Sequence, residues 1–177
     1  MDLPDLLDTS RIACQADVRS KKRALELVAS LLTESIDDEE ASEMHILDAL
    51  NTRERLGSTS LGHGVGLPHS RCAYVDQPIA ALLTTKKGVD YDASDGQPVD
   101  LVVGLLVPED CNDEHLEILA SLARQFNDAS FRSRLRTFEQ PEELFSSIRG
   151  DESDVPGEPA DKNGAIEDTN RGNKHNP

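Results

Sequence analysis

The chain has 177 residues, enough for one domain with a sizeable core, and with only 3% aromatic residues and no Trp that core must be aliphatic. A formal net charge of −16 excludes a nucleic-acid binder, which needs clustered Lys and Arg, and suits either a basic protein partner or plain solubility. Three widely spaced cysteines (Cys14, Cys72, Cys111) make no disulfide framework and fit a reducing cytoplasm, and no run approaches the roughly 20 apolar residues of a membrane span.

In chain order, Leu3, Leu6 and Leu7 predict a short helix, in a segment whose three Asp and missing basic residues exclude a signal peptide. Residues 12–18 read as extended. Ser20 is a suitable N-cap for a helix over residues 21–36, with Leu25, Val28, Leu31 and Leu32 on one face. The acidic residues 37–40 open a second helix, favourably placed at its N-terminal dipole end. Its buried side is Met44, Leu47 and Leu50, and Gly57 ends it. A Gly-rich run over residues 57–68 follows. Residues 79–85 and 99–107 are apolar runs of strand length that belong in the middle of a sheet, and Pro108 stops the second. Residues 113–126 read as a helix with Leu116, Leu119, Leu122 and Ala123 inward. Residues 131–135 form a short helix, and residues 141–148 the last one, with Pro141 in its first turn. The alternation predicts one layered α/β domain over residues 1–150, a mixed central sheet flanked by helices.

Residues 151–177 differ in composition. They hold three Pro, three Gly and four Asn, with only Val155 and Ile166 as bulky apolar residues. Such a segment cannot bury enough surface to offset its ordering entropy, which predicts a disordered tail. Its seven acidic and three basic residues leave −12 on the body.

The segment that carries chemistry is Gly62-His63-Gly64-Val65-Gly66-Leu67-Pro68-His69-Ser70-Arg71. Its glycines let the backbone turn sharply and approach a ligand closely, and Pro68 stiffens the entry to His69. An imidazole titrates near neutrality, so a neutral attacking nitrogen is available there. Read alone, a Pro-His pair in a Gly-rich loop is also an ordinary turn. The spacings His69-x-x-Cys72 and Cys111-x-x-x-His115 suit zinc ligands, and the same cysteines equally suit small core positions.

The run Leu50-Asn51-Thr52-Arg53-Glu54-Arg55-Leu56-Gly57-Ser58-Thr59, followed by Leu67-Pro68-His69, resembles the mannitol/fructose-type enzyme IIA of the bacterial phosphotransferase system, and its nitrogen-regulatory branch in particular. Matches at 20–26, 97–101, 106–108, 115–116 and 142–144 fall in the expected order. The resemblance implies that His69 accepts a phosphoryl group as a tele-phosphohistidine from a phosphocarrier, HPr or its nitrogen-branch homologue NPr. It also implies His115 and Arg53 as active-site partners, which the residues alone would leave as a surface histidine and a solvated arginine. Ser58, Thr59, Gly66 and Ser70 become the loop candidates for phosphate contacts. No cofactor and no metal are implied. Two positions depart from the family pattern: His63, where relatives carry Glu or a neutral polar residue, and Ser70, where Gly is usual. His63 is either an added charge near the phosphate or merely exposed. Two roles are open within the family. A regulator is read by partners, such as a potassium transporter or a sensor kinase, according to its phosphorylation state. A sugar-transport enzyme IIA instead passes the phosphate to an enzyme IIB.

Overall fold

The computed structural model describes residues 1–150, so the expected tail at 151–177 lies outside the described residues. The elements run α1 (Leu3–Leu6), a 3-10 turn (Thr9–Arg11), β1 (Ile12–Ala16), α2 (Lys21–Thr33), α3 (Glu43–Glu54), β2 (Ser60–Gly62), β3 (Val65–Gly66), β4 (His69–Cys72), β5 (Ile79–Val89), β6 (Val99–Pro108), α4 (Asp113–Phe126), α5 (Ala129–Leu135) and α6 (Pro141–Arg149). The six strands form one mixed sheet in the order β1-β5-β6-β3-β2, and β4 also pairs with β6.

The period-2 geometry of β6 divides the core. Leu101, Val103, Leu105 and Val107 face one side and meet Ile118 and Leu122 of α4, Phe131 and Leu135 of α5 and Leu144 of α6. Val102 and Leu106 face the other side and meet Ala24, Val28 and Leu32 of α2 and Ile46 and Leu50 of α3. Helices therefore cover both faces, the expected layered α/β architecture. Gly104 lies where α2 crosses the sheet: a Cβ there would stand 2.3 Å from Val28 Cγ1, so only glycine lets the helix approach this closely.

Several expectations are corrected. The second long helix does not open at residues 37–40. Ser42 caps it by accepting the His45 N–H, and it starts at Glu43. Its buried side is Ile46, Leu50 and Glu54, four residues apart, while Met44 is 68% exposed. Leu116 is likewise exposed, because α4 buries Ile118, Leu122 and Phe126 at the same spacing. Helix α2 stops at Thr33 rather than residue 36, and β5 extends to Val89 past an irregular register between Thr84 and Val89. The Gly-rich run is not simply loop, since it contains β2, β3 and the residue that begins β4.

Candidate functional site

Strands β3 and β4 lie end to end along one edge of β6, with Val65 opposite Leu101 and His69 opposite Leu105. Leu67-Pro68 interrupts the ladder between them. Pro68 has no N–H to donate, but its carbonyl accepts the Leu105 N–H at 3.0 Å, and the Leu67 N–H donates to the Thr59 carbonyl at 3.0 Å. His69 is thus presented by a kink held from both sides.

Nδ1 of His69 lies 2.8 Å from the Leu67 carbonyl oxygen. A carbonyl can only accept, so this contact assigns the ring proton to Nδ1 and leaves the lone pair on Nε2. Burial pushes the imidazole below its ordinary range; the Leu67 bond and Glu54 oppose this, and the Arg53 charge adds to it. The ring is therefore neutral and nucleophilic at pH 7.

His115, near the start of α4, stands edge-on to His69 with ring centroids 5.8 Å apart and planes at 72°. Its Nε2 is shielded from solvent and has no hydrogen-bond partner among the described residues. Burial, then the neighbouring His69 and Arg71, push its pKa down. Arg71 donates to the Glu109 carbonyl at 3.2 Å and also to the Cys111 carbonyl, bracing the turn that leads into α4.

Arg53, in the last turn of α3, donates from Nη1 to the Gly57 carbonyl at 3.0 Å. With His69, Ser58, Thr59, Leu67 and Leu119 it lines a cleft of about 400 Å³. The structure thus brings His69, Arg53, Ser58 and Thr59 into one cleft and sets His115 beside His69. The loop hydroxyls are already engaged, since Ser58 Oγ donates to the Tyr91 carbonyl at 3.0 Å and Thr59 Oγ1 to Glu54 Oε1 at 2.7 Å. Gly66 and Ser70 lie outside the cleft lining. A Cβ on Gly66 would come within 2.8 Å of Tyr91 Cζ, so its bareness serves packing. Ser70 Oγ donates to the Arg71 carbonyl at 2.9 Å.

His63 occupies the turn between β2 and β3 with φ +57°, its N–H on Asp95 Oδ2 at 3.0 Å and its carbonyl accepting from Arg136 at 2.9 Å. It is exposed and lines other clefts than the one holding His69, which matches the second of its two readings. Among the described residues no three His, Cys, Asp or Glu side chains gather as a metal-ligand set, so the Cys72 and Cys111 spacings do not converge on one. Also among them, no helix is long and apolar enough to cross a membrane.

Sequence reasoning gave no role to Glu54, Lys21 or Tyr91. Glu54 falls on the inner side of α3 and is 8% exposed. A carboxylate four residues after Leu50 on a buried face is the signal that could have found it, because such a group requires partners.

The family described as phosphoenolpyruvate-dependent sugar phosphotransferase system, EIIA 2, matches residues 5–150. The chain belongs to this enzyme IIA family. The nitrogen regulatory protein of Pseudomonas aeruginosa is 39% identical over 146 residues, covering 82% of this chain and 94% of the relative. The crystal structure of nitrogen regulatory protein IIA-Ntr from Neisseria meningitidis superposes with a TM-score of 0.74 at 40% identity, covering 81% of this chain and 96% of that one. A fructose-specific EIIA component of Haloferax volcanii is 31% identical over 136 residues, covering 76% of this chain and 86% of the relative. The enzyme IIA assignment makes the chain a phosphotransferase-system component. The two nitrogen-regulatory likenesses bear out the resemblance to that branch.

Proposed function

We propose that this enzyme IIA accepts a phosphoryl group on Nε2 of His69 from an HPr- or NPr-type phosphocarrier in the cytoplasm, and that regulatory partners read its phosphorylation state. The observation that carries the reading is the 2.8 Å contact between Nδ1 of His69 and the Leu67 carbonyl, which frees Nε2 as the nucleophile. In the transfer the Nε2–P bond forms as the bond from phosphorus to the carrier's ring nitrogen breaks. The proton stays on Nδ1, where the Leu67 carbonyl supports the positive charge that develops on the ring. The loose transition state spreads charge over three phosphoryl oxygens, so positioning and charge stabilisation supply most of the catalysis. Arg53 contributes a cation beside that charge, and His115 contributes its Nε2, which has no partner among the described residues.

Mass spectrometry after incubation with phosphoenolpyruvate, enzyme I and the phosphocarrier tests the reading. The expected result is one phosphoryl group, acid-labile and base-stable, absent from His69→Ala. Full labelling of His69→Ala would overturn it. The likeness to nitrogen regulatory proteins supports a regulatory role over the sugar-transport alternative. Rapid loss of the label to an enzyme IIB domain would favour that alternative.

A further inference from the structure

Glu54 is buried at the end of α3 with three donors on its carboxylate. Thr59 N–H donates to Oε2 at 2.8 Å, Thr59 Oγ1 donates to Oε1 at 2.7 Å, and Lys21 Nζ stands 3.0 Å from Oε2. A carboxylate with 5% side-chain exposure is costly unless paired and hydrogen-bonded, and this one is both. Lys21 is itself only 20% exposed and sits 4.5 Å from the centroid of the Tyr91 ring. Tyr91 is fully buried, packs over Gly66, and its hydroxyl lies 3.3 Å from Thr59 Oγ1. Because the Thr59 hydroxyl proton goes to Glu54, the Tyr91 hydroxyl is the donor in that contact.

The network does not end at Thr59. The Thr59 carbonyl accepts the Leu67 N–H at 3.0 Å, and the Leu67 carbonyl accepts Nδ1–H of His69 at 2.8 Å. A single residue, Leu67, therefore separates the clamped Thr59 from the imidazole. The clamp also closes the turn that places the Gly57 carbonyl on Arg53 Nη1. Arg53 and Glu54, adjacent in the chain, divide the work: one lines the cleft and the other ties the loop to the core.

We propose that Glu54, held by Lys21, is the positioning residue of this site. It fixes Thr59, and through Thr59 and Leu67 it sets both the tautomer and the orientation of His69. This role rests on phosphoryl acceptance at His69. A reacting atom displaced by about 1 Å loses about a hundredfold in rate, so a slackened clamp acts on the rate rather than only on stability.

The test uses the full chain and the variants Glu54→Gln and Thr59→Val. Glu54→Gln loses the charge that holds Lys21, and Thr59→Val removes only the hydroxyl, a milder change that leaves a folded protein to measure. Nitrogen-15 NMR of His69 reports the tautomer without any phosphocarrier, so it stands even if the chain proves not to be phosphorylated. In the wild type Nδ1 carries the proton. In both variants the expected result is a mixture of tautomers together with labelling about 10- to 100-fold slower. A purely structural role would lower the melting temperature while leaving the tautomer and the rate of the folded fraction unchanged, and that outcome overturns the proposal. Failure of the wild type to label would defeat the functional reading instead.

Discussion

His115 stands edge-on to His69 at 5.8 Å, and its Nε2 is enclosed without a hydrogen-bond partner among the described residues. A buried polar atom left unpaired costs about 1–3 kcal/mol, so a group that supplies the missing partner is favoured there. A phosphoryl group on His69 is such a group. It would also reverse the electrostatics, because a neighbouring anion favours imidazolium, whereas burial, His69 and Arg71 now disfavour it. Phosphorylation should therefore raise the pKa of His115. An NMR titration of the two forms checks this, and an unchanged or lower value in the phosphorylated form would separate His115 from the phosphate. His115→Ala should slow onward transfer more than acceptance.

The pH dependence follows from the same two rings. His69 and His115 both have pKa values below the ordinary value near 6.5, chiefly through burial. Below that pH the unfolded chain binds protons that the folded chain refuses. The stability these rings contribute is thus complete above about pH 6.5 and is lost as pH falls through the folded values. The melting temperature should fall as pH drops below about 6.5, and less steeply in His69→Gln, which has no imidazole to charge at that position. Labelling should lose half its rate only at a pH below about 6.5, the midpoint of an ordinary histidine. A rate that halves near pH 6.5 would contradict a depressed His69.

Arg53 makes a second claim on the rate. Its charge acts on the His69 ring, and its Nη1 is anchored on the Gly57 carbonyl, so the guanidinium is held before phosphate arrives. Arg53→Ala should slow acceptance by roughly tenfold to a thousandfold. Losing the Gly57 bond should destabilise the fold by only about 1 kcal/mol. Arg53→Lys should recover part of the rate, since it keeps the charge and loses the planar fork. Stopped-flow transfer and thermal melts on the same samples separate the two effects. Wild-type rates in Arg53→Ala would remove it from the chemistry.

The long elements were legible because their apolar residues repeat at strand or helix spacing: β6 runs apolar from Leu101 to Val107, and Ser20 caps α2 as expected. Faces were harder. Met44, Leu47 and Leu50 fit one helical stripe, but the stripe that buries includes the charged Glu54, which a search for apolar residues passes over. The short strands β2, β3 and β4 were hidden because glycines and a proline sit among them, and the pairing of β3 and β4 is decided by the edge of β6, and that of β2 by β3, rather than by local propensity. At the site, the loop around His69 read alone was equally an ordinary turn, and the candidacy of His69, Arg53 and His115 came from the family resemblance. Gly66 looked like a loop residue open to phosphate. The Tyr91 ring that claims its space lies 25 positions away, so no local pattern could reveal it.

Leu56, Leu61 and Leu116 are 81%, 37% and 67% exposed. Leu61 lines the His69 cleft, Leu56 lies in the turn after α3, and Leu116 follows His115. A partner that covers these leucines gains from apolar burial while His69 carries no phosphoryl group. Phosphorylation adds about −1.5 to −2 charge in the cleft that Leu61 lines. The body already carries −12, so the addition repels an acidic partner and raises the desolvation cost of any apolar one. A regulatory partner of this face should prefer the unphosphorylated form by roughly 5- to 150-fold, a coupling of about 1–3 kcal/mol. Pull-downs with wild type, His69→Ala and His69→Asp should then differ, with His69→Asp losing partners that His69→Ala keeps. A Leu56→Lys bait should lose the same partners whatever residue stands at position 69, because it removes the apolar contact itself. Identical partners on all baits, combined with fast handover of the phosphoryl group to an enzyme IIB domain, would make the protein a sugar-transport carrier instead.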